Sequence, residues 1–252
     1  MTSYEGKQAV VTGGTTGMGR AIAEALLERG ARVLVTGRTE QNLAEARRAL
    51  GPSAHVVRSE ASSLADIDAL RGEIESKLGT VDAVFVNAGY AKLTLHDRVS
   101  EAEYDRMFGI NTKGPYFTLQ RLAPLVRDGG AFVLTTSVAN QVGYPGMSVY
   151  AGTKAALRSF AQSFAAELLP RRIRVNALSP GFIKTPTMGI DASEAERAAL
   201  LIEGDRVTPM GRNGTPDEVA SAALFLAFEA TFTTGIELMV DGGMTAIEIP
   251  DG

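Results

Sequence analysis

Seven short runs of β-branched and apolar residues punctuate the chain, and longer segments of helical period separate them. The runs are QAVVT (8–12), RVLVT (32–36), AHVVR (54–58), VDAVFVN (81–87), AFVLTT (131–136), IRVNAL (173–178) and IELMV (236–240). Between the first two, GRAIAEALLERG sets Ile22, Ala25, Leu26 and Arg29 at spacings of three and four, which gives a helix one apolar face. Continuously apolar strands are buried on both faces, and an intervening helix returns the chain so that successive strands run parallel. The expected fold is α/β: a seven-stranded parallel sheet, doubly wound, with helices on both faces. One helix is marked by its start. In GTPDEVASAALFLA, Thr215 can cap, Pro216 suits the first helical position and Glu218 completes a capping box.

A chain of 252 residues fits one α/β domain of about 250 residues. No repeat, low-complexity tract or Pro/Gly/Ser linker divides it, so one domain is expected over 1–252. The longest stretch without strand character, about 181–214, lies between the sixth and seventh runs and is expected to cover a substrate. A net charge of -4 with no Lys/Arg block offers no footprint for nucleic acid or anionic membrane. A small molecule is the expected partner. With no cysteine, disulfides and thiolate metal sites are excluded, and two histidines leave metal catalysis poorly supplied, so no metal is expected. His55 falls in a strand and His96 in a loop, and both read as structural or exposed. The N-terminus lacks the pattern of a signal peptide, and no segment reaches the roughly 20 apolar residues of a membrane span. A cytoplasmic location follows as the expectation.

After the first run, VVTGGTTGMGRAIAEAL places Gly13, Gly17 and Gly19 between strand and helix. Glycines there let the backbone turn sharply and approach a phosphate closely, and the helix N-terminus offers free N–H groups and a positive dipole end. Downstream, SVYAGTKAAL sets Tyr150 and Lys154 one helical turn apart, so phenol and ammonium share a face. A phenol titrating near pH ~10 is a poor base at neutral pH, and a neighbouring ammonium favours its ionised form.

The G-x-x-x-G-x-G spacing headed by TG resembles the short-chain dehydrogenase/reductase family, and further motifs follow in the family's order. VNAG (86–89) is similar to its Asn-Asn-Ala-Gly, with Val86 in place of the first Asn; NTKGPYF begins with Asn111; TTSVA supplies Ser137 ahead of Tyr150 and Lys154; LSPGFIKTP and VDGG close the series. The resemblance spans nearly the whole chain. It implies a single-domain Rossmann fold and hydride transfer between a nicotinamide dinucleotide and a ketone or secondary alcohol. Tyr150 would move the proton, Ser137 would hydrogen-bond the substrate oxygen, Lys154 would also hold the nicotinamide ribose, and Asn111 would anchor a water linking Lys154 to solvent.

By the same resemblance the dinucleotide would lie on Gly13, Thr15, Thr16, Gly17, Met18 and Gly19. Further along it would meet Arg38, Glu60 and Ala61, then Asn87, Ala88 and Gly89, with Tyr150 and Lys154 beside Pro180, Gly181, Ile183 and Thr185. Gly37 stands where an NAD-selective member places Asp, and Arg38 can pair with a 2′-phosphate, so NADP(H) is preferred and NAD(H) remains possible. Thr16 stands where many phosphate-selective members carry Lys or Arg. Glu60 stands where an Asp usually touches adenine.

Around the substrate, Tyr144, Met147, Phe182, Met188 and Leu93 are expected to be apolar neighbours, with Asn140, Gln141 and Lys92 as polar contacts. An apolar or aromatic ketone or a 3-oxo compound fits such a lining. The family implies a homotetramer or homodimer through the Tyr150 helix and the one beginning near Ala102. Two alternatives are an NAD(H)-dependent alcohol dehydrogenase of the same family and a non-catalytic dinucleotide-binding regulator.

Overall fold

Neighbouring residues of one strand feed opposite sides of the sheet. Val10 packs with Leu34, Val84 and Phe132 under one helix layer, and Val11 packs with Val35 and Phe85 under the other. This double burial is why the strands are apolar at successive positions. The computed structural model describes residues 2–187 and 189–248; Met188, one of the expected substrate neighbours, lies outside them.

The strands are β1 (Gln8–Thr12), β2 (Arg32–Gly37), β3 (Ala54–Arg58), β4 (Val81–Val86), β5 (Val126–Thr135), β6 (Arg174–Pro180) and β7 (Glu237–Val240). All are parallel, in the order β3-β2-β1-β4-β5-β6-β7. The helices are α1 (Gly17–Glu28), α2 (Glu40–Leu50), α3 (Leu64–Lys77), α4 (Glu101–Phe108), α5 (Gly114–Leu122), α6 (Ser148–Leu168), α7 (Glu194–Val207) and α8 (Pro216–Leu224). One layer buries Ile22 and Leu26 of α1, Leu50 of α2 and Leu224 of α8. The other buries Ile74 of α3, Leu122 of α5 and Leu157 of α6. Each such side chain contributes roughly 1.5–3 kcal/mol of burial. Strand order reverses between β1 and β4, and the crevice beyond their C-terminal ends is where an open α/β sheet binds ligands.

Helix starts follow local chemistry. Thr39, Ser63 and Ser100 accept from the third backbone N–H beyond them. Thr215 and Glu218 form the expected capping box, and Ser193 with Glu196 forms a second one opening α7. The acidic stretch DASEAER (191–197) thus contains a helix start.

Two elements depart from the sequence expectation. β5 starts at Val126 rather than 131 because Val126 pairs with Val81 before the register shifts. Residues 127–130 bulge between the two pairings, with Gly129 at φ 82° and Arg127 held 2.6 Å from Asp82. Between α4 and α5, residues Gly109–Lys113 form one wider π-helical turn in which the Gly114 N–H donates to the Gly109 carbonyl. That turn sets Asn111 inward and fully buried.

Candidate active site

The ends of β1 and β4 are stitched by Thr12, whose hydroxyl oxygen accepts from the backbone N–H groups of Asn87 (3.0 Å) and Ala88 (3.2 Å). The Asn87 amide returns the bond, donating to the carbonyls of Thr12 and Gly13, both at 3.3 Å. Gly13 has φ 64°, and a Cβ there would lie 2.9 Å from the Ala88 backbone. At Gly19 a Cβ would lie 2.4 Å from the Gly13 carbonyl oxygen and 2.5 Å from the Asn87 amide. Backbone thus packs on backbone, and no other residue fits without moving the turn.

The turn opens onto a cleft of about 440 Å³. Thr15, Thr16, Gly17 and Met18 line it, whereas Gly19 is packing beneath the turn. Thr16 precedes α1 without a side-chain cap, so the helix's first-turn N–H groups are not capped from within. A pyrophosphate fits this cradle. At the end of β2 a Cβ on Gly37 would lie 2.4 Å from the Thr15 methyl, which leaves no room for an acidic side chain. Next to it Arg38 is half-exposed, its Nε 3.9 Å from Glu60 Oε2. Glu60 lines the cleft as well, and its Oε1 accepts from the Ser62 N–H (3.4 Å) and hydroxyl (3.3 Å). Ala61, Asn87, Ala88 and Gly89 continue the wall, and Pro180, Gly181, Ile183 and Thr185 close it from β6. Thr185 stands over Gly17, whose Cβ position is 3.5 Å from the threonine Cβ.

α6 delivers Tyr150 and Lys154 to the centre. Lys154 is 3% exposed, and its Nζ donates to the Thr135 carbonyl at 2.8 Å while lying 5.6 Å from the Tyr150 ring centre. Burial lowers the Lys154 pKa from 10.5 to about 8. Tyr150 keeps part of its surface open to the cleft, yet burial raises its pKa and the Ser137 hydroxyl only partly offsets the rise. Lys154 spends its bond on Thr135, and burial is the larger influence on the Tyr150 phenol.

Asn111 does not line the cleft. Its Oδ1 accepts from the Tyr90 N–H (2.8 Å), and its Nδ2 donates to the Tyr90 carbonyl (2.7 Å) and to Thr153 Oγ1 (3.2 Å). Thr153 in turn donates to the Tyr150 carbonyl at 2.6 Å. The asparagine thus clamps the segment after β4 to the first turn of α6.

At the far end Leu93, Met147, Tyr144 and Phe182 line the cleft as expected, the last two rings meeting edge to face at 6.5 Å. Ile190, Leu200 and Glu203 join them from the segment between β6 and α8. Asn140 and Gln141 are instead bonded to Glu237, and Lys92 to Glu103, so the three expected polar contacts do not line the cleft. Neither histidine lines it. Sequence reasoning passed over Tyr90, whose hydroxyl donates to Asp191 Oδ2 at 2.8 Å while Arg106 lies over its ring at 4.0 Å. Its one available signal was its place directly after VNAG.

With this geometry in hand, the chain can be set beside known proteins. Residues 13–245 match a family described as Enoyl-(Acyl carrier protein) reductase. The chain is 39% identical to oxidoreductase asL5 of Sarocladium schorii, over 96% of this chain and 97% of that one. It is 35% identical to the 3-oxoacyl-[acyl-carrier-protein] reductase FabG of Salmonella typhimurium (96% and 98% covered) and 34% identical to the L-fucose dehydrogenase of Mus musculus (96% and 90%). A short-chain dehydrogenase/reductase of Serratia marcescens, solved as a double mutant, superposes with a TM-score of 0.87 at 29% identity, covering 96% of this chain and 99% of that chain. No helix among the described residues is long and apolar enough to cross a membrane. The seven-stranded parallel sheet agrees with these likenesses: the chain is an oxidoreductase and belongs to the short-chain dehydrogenase/reductase family.

Proposed function

We propose that the protein reduces a ketone, or oxidises the matching secondary alcohol, with NADP(H) as the hydride carrier. The observation that carries the reading is the convergence of Tyr150, Ser137 and Lys154 on the cleft that the glycine turn opens. A bound nicotinamide dinucleotide supplies or accepts the hydride. Ser137 donates to the substrate oxygen, and the protonated Tyr150 phenol gives its proton to the alkoxide as negative charge develops there. Lys154, which lines the same cleft, would hold the ribose, and Asn111, its side chain committed to Tyr90 and Thr153, would serve a proton relay only through its backbone.

Support for NADP(H) comes from the second strand. Gly37 cannot be replaced by an acid without displacing Thr15, and Arg38, which follows it, lines the cleft and could pair with a 2′-phosphate. The unphosphorylated cofactor is the alternative that Glu60 favours, since its carboxylate beside Arg38 already balances that charge. The relatives' names span a 3-oxoacyl-[acyl-carrier-protein] reductase and an L-fucose dehydrogenase. The apolar far end favours an apolar or aromatic ketone or a 3-oxo compound, with residues 181–214 as its cover. Titrating the protein in parallel with NADPH and NADH, followed by nicotinamide fluorescence, tests the cofactor: tighter NADPH binding is expected, and equal or tighter NADH binding overturns the preference. Retained binding with no turnover on any carbonyl would favour a non-catalytic regulator.

Assembly as a homotetramer or homodimer is proposed through α6 and α4, the helix beginning near Ala102, where exposed Tyr104 stacks on Phe108 (4.5 Å). Light scattering that reads a monomer would overturn it.

A further inference from the structure

Glu237, the first residue of β7, is a carboxylate with only 3% of its side chain exposed, yet it belongs to no motif of the cleft. Its partners are informative. Oε1 accepts from the Thr136 hydroxyl (2.6 Å) and the Asn140 amide (2.7 Å), and Oε2 accepts from the Gln141 amide (2.9 Å). The Arg158 guanidinium pairs with Oε2 at 3.1 Å. Thr136 immediately precedes Ser137, and Asn140 and Gln141 end the short helical turn that follows it. Arg158 lies one turn beyond Lys154 on the helix that carries Tyr150. One buried carboxylate therefore grips the Ser137 segment on both sides and ties it to α6.

The Ser137 hydroxyl accepts from the Ala139 N–H at 3.3 Å and is hydrogen-bonded to Tyr150, and its carbonyl accepts from the Asn140 N–H at 3.0 Å, all neutral bonds. Charge-assisted bonds to a carboxylate are shorter and about twice as strong as neutral ones. They are costly to lose chiefly at the part-buried Asn140 amide, since the Thr136 hydroxyl also reaches the Leu178 carbonyl (3.0 Å) and Gln141 is exposed. On the functional reading above, a hydroxyl displaced by about 1 Å from its working position costs on the order of 100-fold in rate. We propose that Glu237 is a positioning residue for the reaction: it fixes the Ser137 hydroxyl against Tyr150 by anchoring Thr136, Asn140 and Gln141 to α6.

The proposal rests on the catalytic role of Ser137, so the test is a double-mutant cycle between the two positions. Reduction of ethyl acetoacetate by NADPH is measured for wild type, Glu237→Gln, Ser137→Ala and the double variant. Glu237→Gln is expected to lower kcat by roughly tenfold while NADPH affinity stays within about twofold, because the cradle of the dinucleotide is untouched. In the Ser137→Ala background the same change is expected to cost less than about twofold, since nothing is left to position. An equal loss in both backgrounds, or no loss in kcat with Ser137→Ala impaired, overturns the proposal and leaves the functional reading intact. Full activity in Ser137→Ala overturns both. If Glu237→Gln does not fold, Asn140→Ala/Gln141→Ala removes the tether from the loop side and leaves β7 unchanged, with the same dependence on Ser137 expected. Asp82→Asn is the control for destabilisation alone. Asp82 binds Lys7, Gln8 and Arg127 at the opposite end of the sheet, and its loss is expected to lower the melting temperature without touching kcat.

Discussion

The dinucleotide half of the cleft is bounded largely by backbone, with Gly13 against Ala88, Gly19 against the Gly13 carbonyl and Thr12 bonded to two successive N–H groups of the β4 end. The substrate half is bounded by side-chain bulk, with the Tyr144 and Phe182 rings 6.5 Å apart and Leu93, Met147 and Leu200 around them. In the first half, residue identity follows from close approach, and one added methyl has nowhere to go. In the second, many apolar side chains could fill the same volume. The two halves should therefore fail differently when mutated.

The largest difference is expected at Gly19. Gly19→Ala should weaken NADPH binding by roughly 100-fold or more, about 3 kcal/mol, because the new methyl displaces the Gly13 carbonyl and the Asn87 amide together. Calorimetric titration reads the change, and near-normal affinity would show that the turn is soft. Phe182→Leu should alter the substrate KM only a few-fold, in keeping with one lost aromatic contact of about 0.5–1.5 kcal/mol. A 100-fold effect there would erase the distinction between the halves.

Lys154 sharpens the comparison at the boundary between them. Its pKa is about 8 in the fold and near 10.5 when free, so between those values the unfolded chain binds more protons and stability rises with pH. Below pH ~8 the full cost of burying the ammonium is present, up to roughly 3 kcal/mol. Lys154→Met should abolish turnover yet be more stable than wild type at pH 7, with the gap closing as pH rises toward 10.5. Urea unfolding at the two pH values measures this, and a variant less stable than wild type at pH 7 would contradict the burial cost. A smaller effect is expected of half-exposed Arg38. Arg38→Ala should weaken NADPH about tenfold and NADH little, and equal losses would place the arginine on adenine instead.

This contrast also explains what could be read from the chain. All seven strands were legible because burial on both faces demands successive apolar residues, and the start of α8 was legible because Thr215, Pro216 and Glu218 each serve one terminus. The glycine turn, Ser137, Tyr150 and Lys154 were legible as a series with fixed order and spacing. What escaped was set by tertiary partners with no sequence period: Thr135 taking the bond of Lys154, Tyr90 reaching Asp191 about a hundred residues away, and Glu237 drawing Asn140 and Gln141 out of the cleft. Helical spacing places the ammonium near the phenol but does not reveal that burial acts on both.

The most direct test of the central claim is Tyr150→Phe, measured for NADPH affinity and for ethyl acetoacetate reduction on the same preparation. Removing only the transferable proton should leave affinity within about twofold and lower kcat at least about 100-fold, the usual scale of general acid catalysis. Turnover close to wild type in a variant that still binds NADPH would contradict Tyr150 as the proton donor, and with it the account of the site.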